Sequence, residues 1–143
     1  MVRNINLNDK MVLFVCVENS FRSQIAEAYF NKFAPKGWKA ISAGIKPATN
    51  IHPNAILLMK EEGIDISNKK PKLLTKEIQE IAEIAIIVCS GNKCPLVYAK
   101  KVEDWNIPDP AKMPINEARK IRDIIKAKVL ELIEKQIIRY MLK

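Results

Sequence analysis

The chain has 143 residues, of which 48% are hydrophobic and 28% are charged, and its formal net charge is +8. This length and apolar content predict one domain over residues 1–143 with a buried core. The apolar runs are too short to span a bilayer and the first ten residues lack the apolar stretch of a secretory signal, which excludes a membrane protein and predicts a cytoplasmic one.

Short apolar runs alternate along the chain with segments of helical periodicity. Four apolar runs predict strands, at 11–16, 38–43, 83–90 and 100–107. Four periodic segments predict helices, at 22–34, 52–63, 75–82 and from 115 to about 142, with Ile124 on the buried face of the last. This order is typical of an α/β fold in three layers, with a parallel sheet covered by helices on both faces.

Three reactive residues lie at or just after the ends of predicted strands. Cys16 ends the first strand, Cys89 lies at the end of the third, and Asp109 follows the fourth. Ligands of parallel sheets bind outside the carboxyl ends of the strands. We therefore expect these three residues to gather at one edge of the sheet.

The segment between the first strand and the first helix has the composition of an oxyanion-binding loop. Its residues are Val17, Glu18, Asn19, Ser20, Phe21, Arg22 and Ser23. Backbone N–H groups and the start of the helix favour a Cys16 thiolate, which is a strong nucleophile, and Arg22 can grip two oxygens of a tetrahedral anion. The two serines can donate hydrogen bonds to the sulfur. A buried, inert Cys16 is the alternative, because free cysteine is commonly a core residue.

Attack by sulfur requires a proton for the departing oxygen, and Asp109 in "DWNIPDPAK" is the candidate acid. Asp104 is its competitor, although it falls inside the predicted fourth strand. The Cys89/Cys94 pair has no second half and the single His52 is distant in sequence, so we expect neither a metal nor a cofactor. Scattered lysines and few aromatic residues also argue against nucleic-acid binding.

Several segments together resemble the low-molecular-weight protein tyrosine phosphatase superfamily. They are "VLFVCVENSFRSQIAEAYF", "SAG" at 42–44, "NAILLMKEEGIDIS" and "DWNIPDPAK". The resemblance implies a four-stranded parallel sheet in the order 2-1-3-4. It also implies one of two activities, because the superfamily holds phosphatases and thioredoxin-coupled arsenate reductases.

The segment "VCSGNKCPL" resembles the paired cysteines of the reductase branch. That branch implies a relay in which Cys16 attacks arsenate, Cys89 attacks the Cys16 sulfur, and Cys94 resolves the resulting disulfide for reduction by thioredoxin. Phosphate and sulfate would act as mimics of the substrate, and a monomer is expected. The segment "DPAKMPINEARKIRDIIK", which begins at Asp109, contains no aromatic side chain, whereas phosphatases usually carry aromatic residues just after this Asp-Pro.

Two other interpretations remain open from the sequence. A phosphatase would use the same loop without Cys89 and Cys94, which would then be inert thiols. An oxyanion-binding or redox-sensing module would bind the anion without turnover.

Departures from the superfamily pattern give further expectations. Glu18 stands where glycine is usual, and we expect its carboxylate to point outward. Asn19, Glu27 and Ser42 match the potassium ligands of some reductases, but "SNKKPK" places lysine where aspartate is expected, so no dependence on potassium is predicted. From the residues alone, Glu27 is expected to cap or pair within its own helix, and Asn19 is expected to stabilise the loop through its amide.

Overall fold

The computed structural model describes residues 9–91 and 94–142. Its strands are β1 (Lys10–Cys16), β2 (Trp38–Gly44), β3 (Ala82–Ile87) and β4 (Lys101–Asp104). Its helices are α1 (Arg22–Phe33), α2 (Pro53–Lys60), α3 (Lys76–Ile81) and α4 (Ile115–Leu132), continued by a π-helical segment (Ile133–Ile138) and by α5 (Arg139–Met141).

The strands form one parallel sheet in the order β2-β1-β3-β4, which confirms the predicted topology. The register aligns Cys16 with Gly44 on one side of β1 and Val15 with Ile87 on the other. The central position of β1 explains why this strand is nearly all apolar, because its two faces are both covered. The carboxyl ends of β1, β2 and β3 therefore meet at one edge.

The two faces of β1 contribute to two separate cores, as the period of two in a strand requires. Val12 and Phe14 belong to the larger core, which also contains residues of α1, α2 and α4. Leu13 and Val15 belong to the smaller core on the opposite face, which includes Ile78 of α3 and Val97. The predicted three-layer arrangement is thus confirmed.

The last helix follows its predicted apolar stripe with one exception. Ala118, Ile121, Ile125 and Val129 are buried as the spacing predicts. Ile124 is 43% exposed, so its predicted place on the buried face is wrong. The stripe of α4 is narrower than the sequence pattern indicates.

The fourth strand is shorter than predicted, because it ends at Asp104 rather than at residue 107. Asn106 has a φ of 51°, in the left-handed region that a strand cannot accommodate. Its N–H donates to the Asp104 carboxylate at 3.0 Å, which forms a local turn. The third strand ends at Ile87, although the Val88 N–H still donates to the Val15 carbonyl at 2.9 Å.

Within the part of the chain that the structure describes, none of the helices is both long and apolar enough to cross a membrane. Among the same residues, no three or more His, Cys, Asp or Glu side chains come together as a set that could hold a metal ion.

Candidate active site

Residues 17–21 connect β1 to α1 and form a loop whose carbonyl groups all accept hydrogen bonds. Val17, Glu18 and Ser20 accept from the backbone N–H groups of Lys46, Ala48 and His52. The carbonyl of Asn19 accepts from the Gln24 side chain, and that of Phe21 accepts from the Ile25 N–H. The chain segment that follows β2 thus fixes the orientation of the loop peptides.

Most N–H groups of the same loop, unlike its carbonyl groups, are unpaired among the described residues. In the described part of the chain, the backbone N–H groups of Val17, Glu18, Ser20 and Phe21 have no hydrogen-bond partner. All four residues line one cavity, and Arg22 at its wall is the first residue of α1. Unpaired donors at a helix N-terminus form a binding site for an anion.

The Cys16 sulfur lies at the base of this cavity and accepts hydrogen bonds from the loop. The Asn19 N–H donates to it at 3.1 Å, and the Ser23 hydroxyl lies 2.8 Å away. The Asn19 side-chain amide donates to the same Ser23 oxygen at 2.7 Å, so the Ser23 hydroxyl proton is available to a Cys16 thiolate. Asn19 is fully buried with a φ of 53°, and its side-chain oxygen accepts hydrogen bonds from the Gln24 amide at 3.0 Å and the Lys72 N–H at 2.8 Å, so it holds the loop through its amide as the sequence predicts.

Arg22 and Asp109 both line the same cavity as the loop. One guanidinium nitrogen of Arg22 donates to the Ile107 carbonyl at 2.8 Å, and the other lies 3.9 Å from an Asp109 carboxylate oxygen. The second Asp109 oxygen accepts from the Ala111 N–H at 3.0 Å. The competing Asp104 lies within β4 and does not line the cavity.

The cavity has a volume of about 910 Å³ and a mixed lining. Arg22 and Lys46 contribute positive charge, and Phe21 is the one aromatic side chain among the described lining residues. Glu18 also lines the cavity but is exposed to solvent, so its carboxylate is hydrated rather than buried beside Cys16. This volume accommodates an organic phosphate as well as an inorganic oxyanion.

The three cysteines lie around one core cluster. Cys16 is a free, buried thiol, and Cys89 and Cys94 form a disulfide with a Cα–Cα distance of 5.9 Å. The Val88 N–H donates to the Val15 carbonyl of the neighbouring strand. Cys89 and Cys16 are the residues that directly follow these two. The structure therefore brings the predicted Cys16, Arg22, Cys89 and Asp109 to one edge of the sheet, with Cys94 bonded to Cys89.

The partners of the Glu27 carboxylate lie outside α1, whereas the sequence predicts them within that helix. Its buried carboxylate accepts a hydrogen bond from Ser42 of β2 at 2.9 Å and lies 3.6 Å from the Lys72 ammonium and 3.8 Å from that of Lys69. The expectation that Glu27 caps or pairs within α1 is wrong. The backbone N–H of Lys72 also donates to the Asn19 side chain at 2.8 Å, which connects this cluster to the loop.

Two residues shape the site without having been predicted to do so. A Cβ atom on Gly44 would lie 2.4 Å from the Val17 carbonyl oxygen, so only glycine allows the loop to pack on the end of β2. His52 caps α2 and donates from Nε2 to the Ala111 carbonyl at 3.1 Å, because its Nδ1 accepts from the Asn54 N–H. The sequence offers two weak signals for these roles. Gly44 ends a predicted strand, and His52 precedes a proline.

The chain matches the low molecular weight phosphotyrosine protein phosphatase family over residues 11–140. The chain belongs to this family. The resemblance seen in the sequence is therefore confirmed.

Relatives and solved structures that are similar to this chain include both activities of interest. An arsenate reductase 2 from Staphylococcus haemolyticus (strain JCSC1435) is 38% identical over 126 residues, which cover 86% of this chain and 95% of that protein. A thioredoxin-dependent arsenate reductase from Corynebacterium glutamicum has a TM-score of 0.73 and 32% identity, covering 91% of this chain and 63% of that one. A low molecular weight protein tyrosine phosphatase from T. tengcongensis has a TM-score of 0.77 and 29% identity, covering 89% and 99%.

Proposed function

We propose that this protein is an arsenate reductase that converts arsenate to arsenite through Cys16, Cys89 and Cys94 and is regenerated by thioredoxin. One observation carries the proposal: a free Cys16 lies in an anion-binding loop beside a Cys89–Cys94 disulfide. This is the oxidation state that a three-thiol relay has after one turnover. Arsenate reductases at 35–38% identity over most of the chain support the assignment.

The first step is attack by the Cys16 thiolate on arsenic. A sulfur–arsenic bond forms and an arsenic–oxygen bond breaks, and the departing oxygen takes a proton from Asp109 and leaves as water. Arg22 and the free N–H groups of Val17, Glu18, Ser20 and Phe21 hold the remaining oxygens. The hydrogen bonds from Asn19 and Ser23 stabilise the sulfur as an anion before attack.

The second step transfers two electrons to arsenic. The Cys89 thiolate attacks the Cys16 sulfur, the sulfur–arsenic bond breaks, and its electron pair stays on arsenic, which leaves as arsenite. The Cys94 thiolate then attacks the Cys89 sulfur and Cys16 departs as a thiolate. Two thiols are oxidised for each arsenate reduced, which balances the electrons.

The same chemistry indicates the setting of the enzyme. Free thiols require a reducing compartment, which favours the cytoplasm. Thioredoxin is proposed as the reductant because the Corynebacterium glutamicum relative is described as thioredoxin-dependent. A relay contained in one chain requires no second subunit, so we propose a monomer with one catalytic domain.

Thiol counting over a single turnover tests the proposal. The fully reduced protein should lose two of its three thiols on reaction with excess arsenate, and peptide mapping should find Cys89 bonded to Cys94. Cys94→Ser should release one arsenite and stop at a Cys16–Cys89 disulfide, whereas Cys89→Ser should release none. An unchanged thiol count would refute the relay.

A low-molecular-weight phosphatase is the second candidate, and the T. tengcongensis phosphatase supports it. Cys16, Arg22 and Asp109 are sufficient for hydrolysis through a cysteinyl-phosphate intermediate. Hydrolysis of p-nitrophenyl phosphate that is rapid and indifferent to Cys89→Ser, without arsenate reduction, would favour the phosphatase. Phosphate or sulfate binding that survives Cys16→Ser, with neither activity, would identify a binding module instead.

A further inference from the structure

A second cavity lies at the edge of the sheet opposite the active site. It is lined by the first residues of three strands, Lys10 of β1, Trp38 of β2 and Lys101 of β4, and by residues of the π-helical segment after α4. We call it the amino-edge cavity. Because β1 has seven residues, about 20 Å of strand separates this edge from Cys16, and a ligand here would not touch the oxyanion loop.

The lining of the amino-edge cavity carries an excess of positive charge. Its five cationic residues are Lys10, Lys100, Lys101, Lys135 and Arg139. Glu83 is the one carboxylate among the described lining residues, and it lies 3.2 Å from the Lys100 ammonium. Five cations and one carboxylate leave four positive charges in excess.

Carboxylates outside the lining balance this charge only in part. The Lys101 ammonium lies 3.9 Å from Glu103, and the Lys135 ammonium lies 3.9 Å from Glu131, which are long distances for ion pairs. Among the described residues, the Arg139 guanidinium has no hydrogen-bond or ion-pair partner. An arginine without a partner can bind a phosphate group through two parallel N–H donors.

We propose that the amino-edge cavity binds a small anion with several linked phosphate groups, such as a triphosphate, either free or as part of a nucleotide. The cavity volume of about 860 Å³ lies in the range of small-molecule sites. Linked phosphate groups carry several negative charges in one compact ligand, which matches the excess of cations. The π-helical geometry of the segment that carries Lys135 also recurs at functional sites in proteins.

The aromatic content of the cavity favours a small phosphate ligand over a nucleic acid. Single-stranded nucleic acids bind by stacking their bases on exposed aromatic rings. Trp38 is the one aromatic residue among the described lining residues, and it is only 8% exposed. The Lys10 ammonium lies 5.6 Å from the centre of its ring. The ligand is therefore recognised by its charge, and a base adds little.

Calorimetric titration of the full-length protein with sodium tripolyphosphate tests the site. In K135A/R139A the affinity of the cavity should fall about tenfold, because two of its cations are lost. K60A/K120A is the matched control, since Lys60 and Lys120 are exposed, lie outside the lining and carry the same charge. The control should keep the affinity of the parent.

A second variant separates the amino-edge cavity from the oxyanion loop. Arg22→Ala weakens any binding at the loop, and it should retain the tripolyphosphate affinity that K135A/R139A loses. K135A/R139A should in turn keep arsenate reduction and p-nitrophenyl phosphate hydrolysis at the level of the parent, whichever of the two activities the protein has. ATP should bind as tightly as tripolyphosphate, because the phosphate groups supply the recognition, and both affinities should fall as ionic strength rises.

Three results would overturn the assignment. Binding that is lost in Arg22→Ala but kept in K135A/R139A would place the anion in the oxyanion loop. An equal loss in K60A/K120A would show attraction to the overall charge of the protein without a site. Binding of duplex DNA with no binding of tripolyphosphate would make this edge a nucleic-acid surface.

Discussion

The contact between Gly44 and the loop offers the sharpest test of how the site is built. In Gly44→Ala the new Cβ would lie 2.4 Å from the Val17 oxygen and 2.9 Å from the Asn19 nitrogen. Ordinary contact begins at 3.4 Å, so the loop and β2 must separate by 3.4 minus 2.4, or about 1 Å. Both contacts are with backbone atoms, which cannot rotate away as a side chain could.

A displacement of this size should affect both stability and catalysis. Overpacking of this kind costs about 1–3 kcal/mol of unfolding free energy. Misplacement of reacting groups by about 1 Å costs roughly a hundredfold in rate, which is the loss we expect in kcat/KM for arsenate. Urea unfolding and arsenite release in single turnover measure the two effects separately.

Gly63→Ala is the matched control for this experiment. Gly63 has a φ of 74° and no atom within 4 Å of the place that an alanine methyl group would take, so alanine there is strained only by its own backbone. It should lose about 1 kcal/mol of stability and keep its activity. The reasoning fails if Gly44→Ala retains as much activity as Gly63→Ala.

Two further predictions concern charged groups. Lys72→Met should lower the unfolding free energy by about 1–2 kcal/mol, because the buried Glu27 carboxylate loses the nearby Lys72 ammonium. In the parent protein, exchange of sodium for potassium should not change arsenate reduction. Hydrogen bonds from Arg119 and Arg122 lower the pKa of Glu61 to about 2, so its contribution to stability is complete above pH 4.5 and disappears as the pH falls toward 2. Urea unfolding should therefore show a lower unfolding free energy for Glu61→Gln than for the parent at pH 7, and this difference should be smaller at pH 3.

The sequence was sufficient to predict features that depend on neighbouring residues. Apolar runs and helical spacing located every strand and helix, and the alternation indicated the layers, because local periodicity determines which face of an element is buried. Cys16 and Arg22 were recognisable because they lie on either side of one short loop. Whether these residues and Cys89, Cys94 and Asp109 perform the assigned steps remains a prediction for the thiol-counting experiment.

Features that depend on distant residues were not predictable in the same way. The partners of Glu27 come from β2 and from residues 69–72, and no spacing within α1 indicates them. The end of β4 depends on the left-handed Asn106, a conformation that a propensity for strand cannot reveal. The sequence predicts a helix from residue 52, and His52 caps that helix, but the bond from His52 to Ala111 forms only when two distant segments meet.

The loop itself shows why a cysteine and an arginine at this spacing do not make a site unaided. A free amide is useful to an anion only if its peptide is held with the N–H inward, and a flexible loop would satisfy its own donors and acceptors. Here Lys46, Ala48 and His52 bind the carbonyl groups from outside, and Gly44 lets the loop approach β2 closely. Cys16 and its loop are adjacent in the sequence, but the inward orientation of the loop N–H groups, whose electrostatic field favours a Cys16 thiolate, depends on the segment after β2.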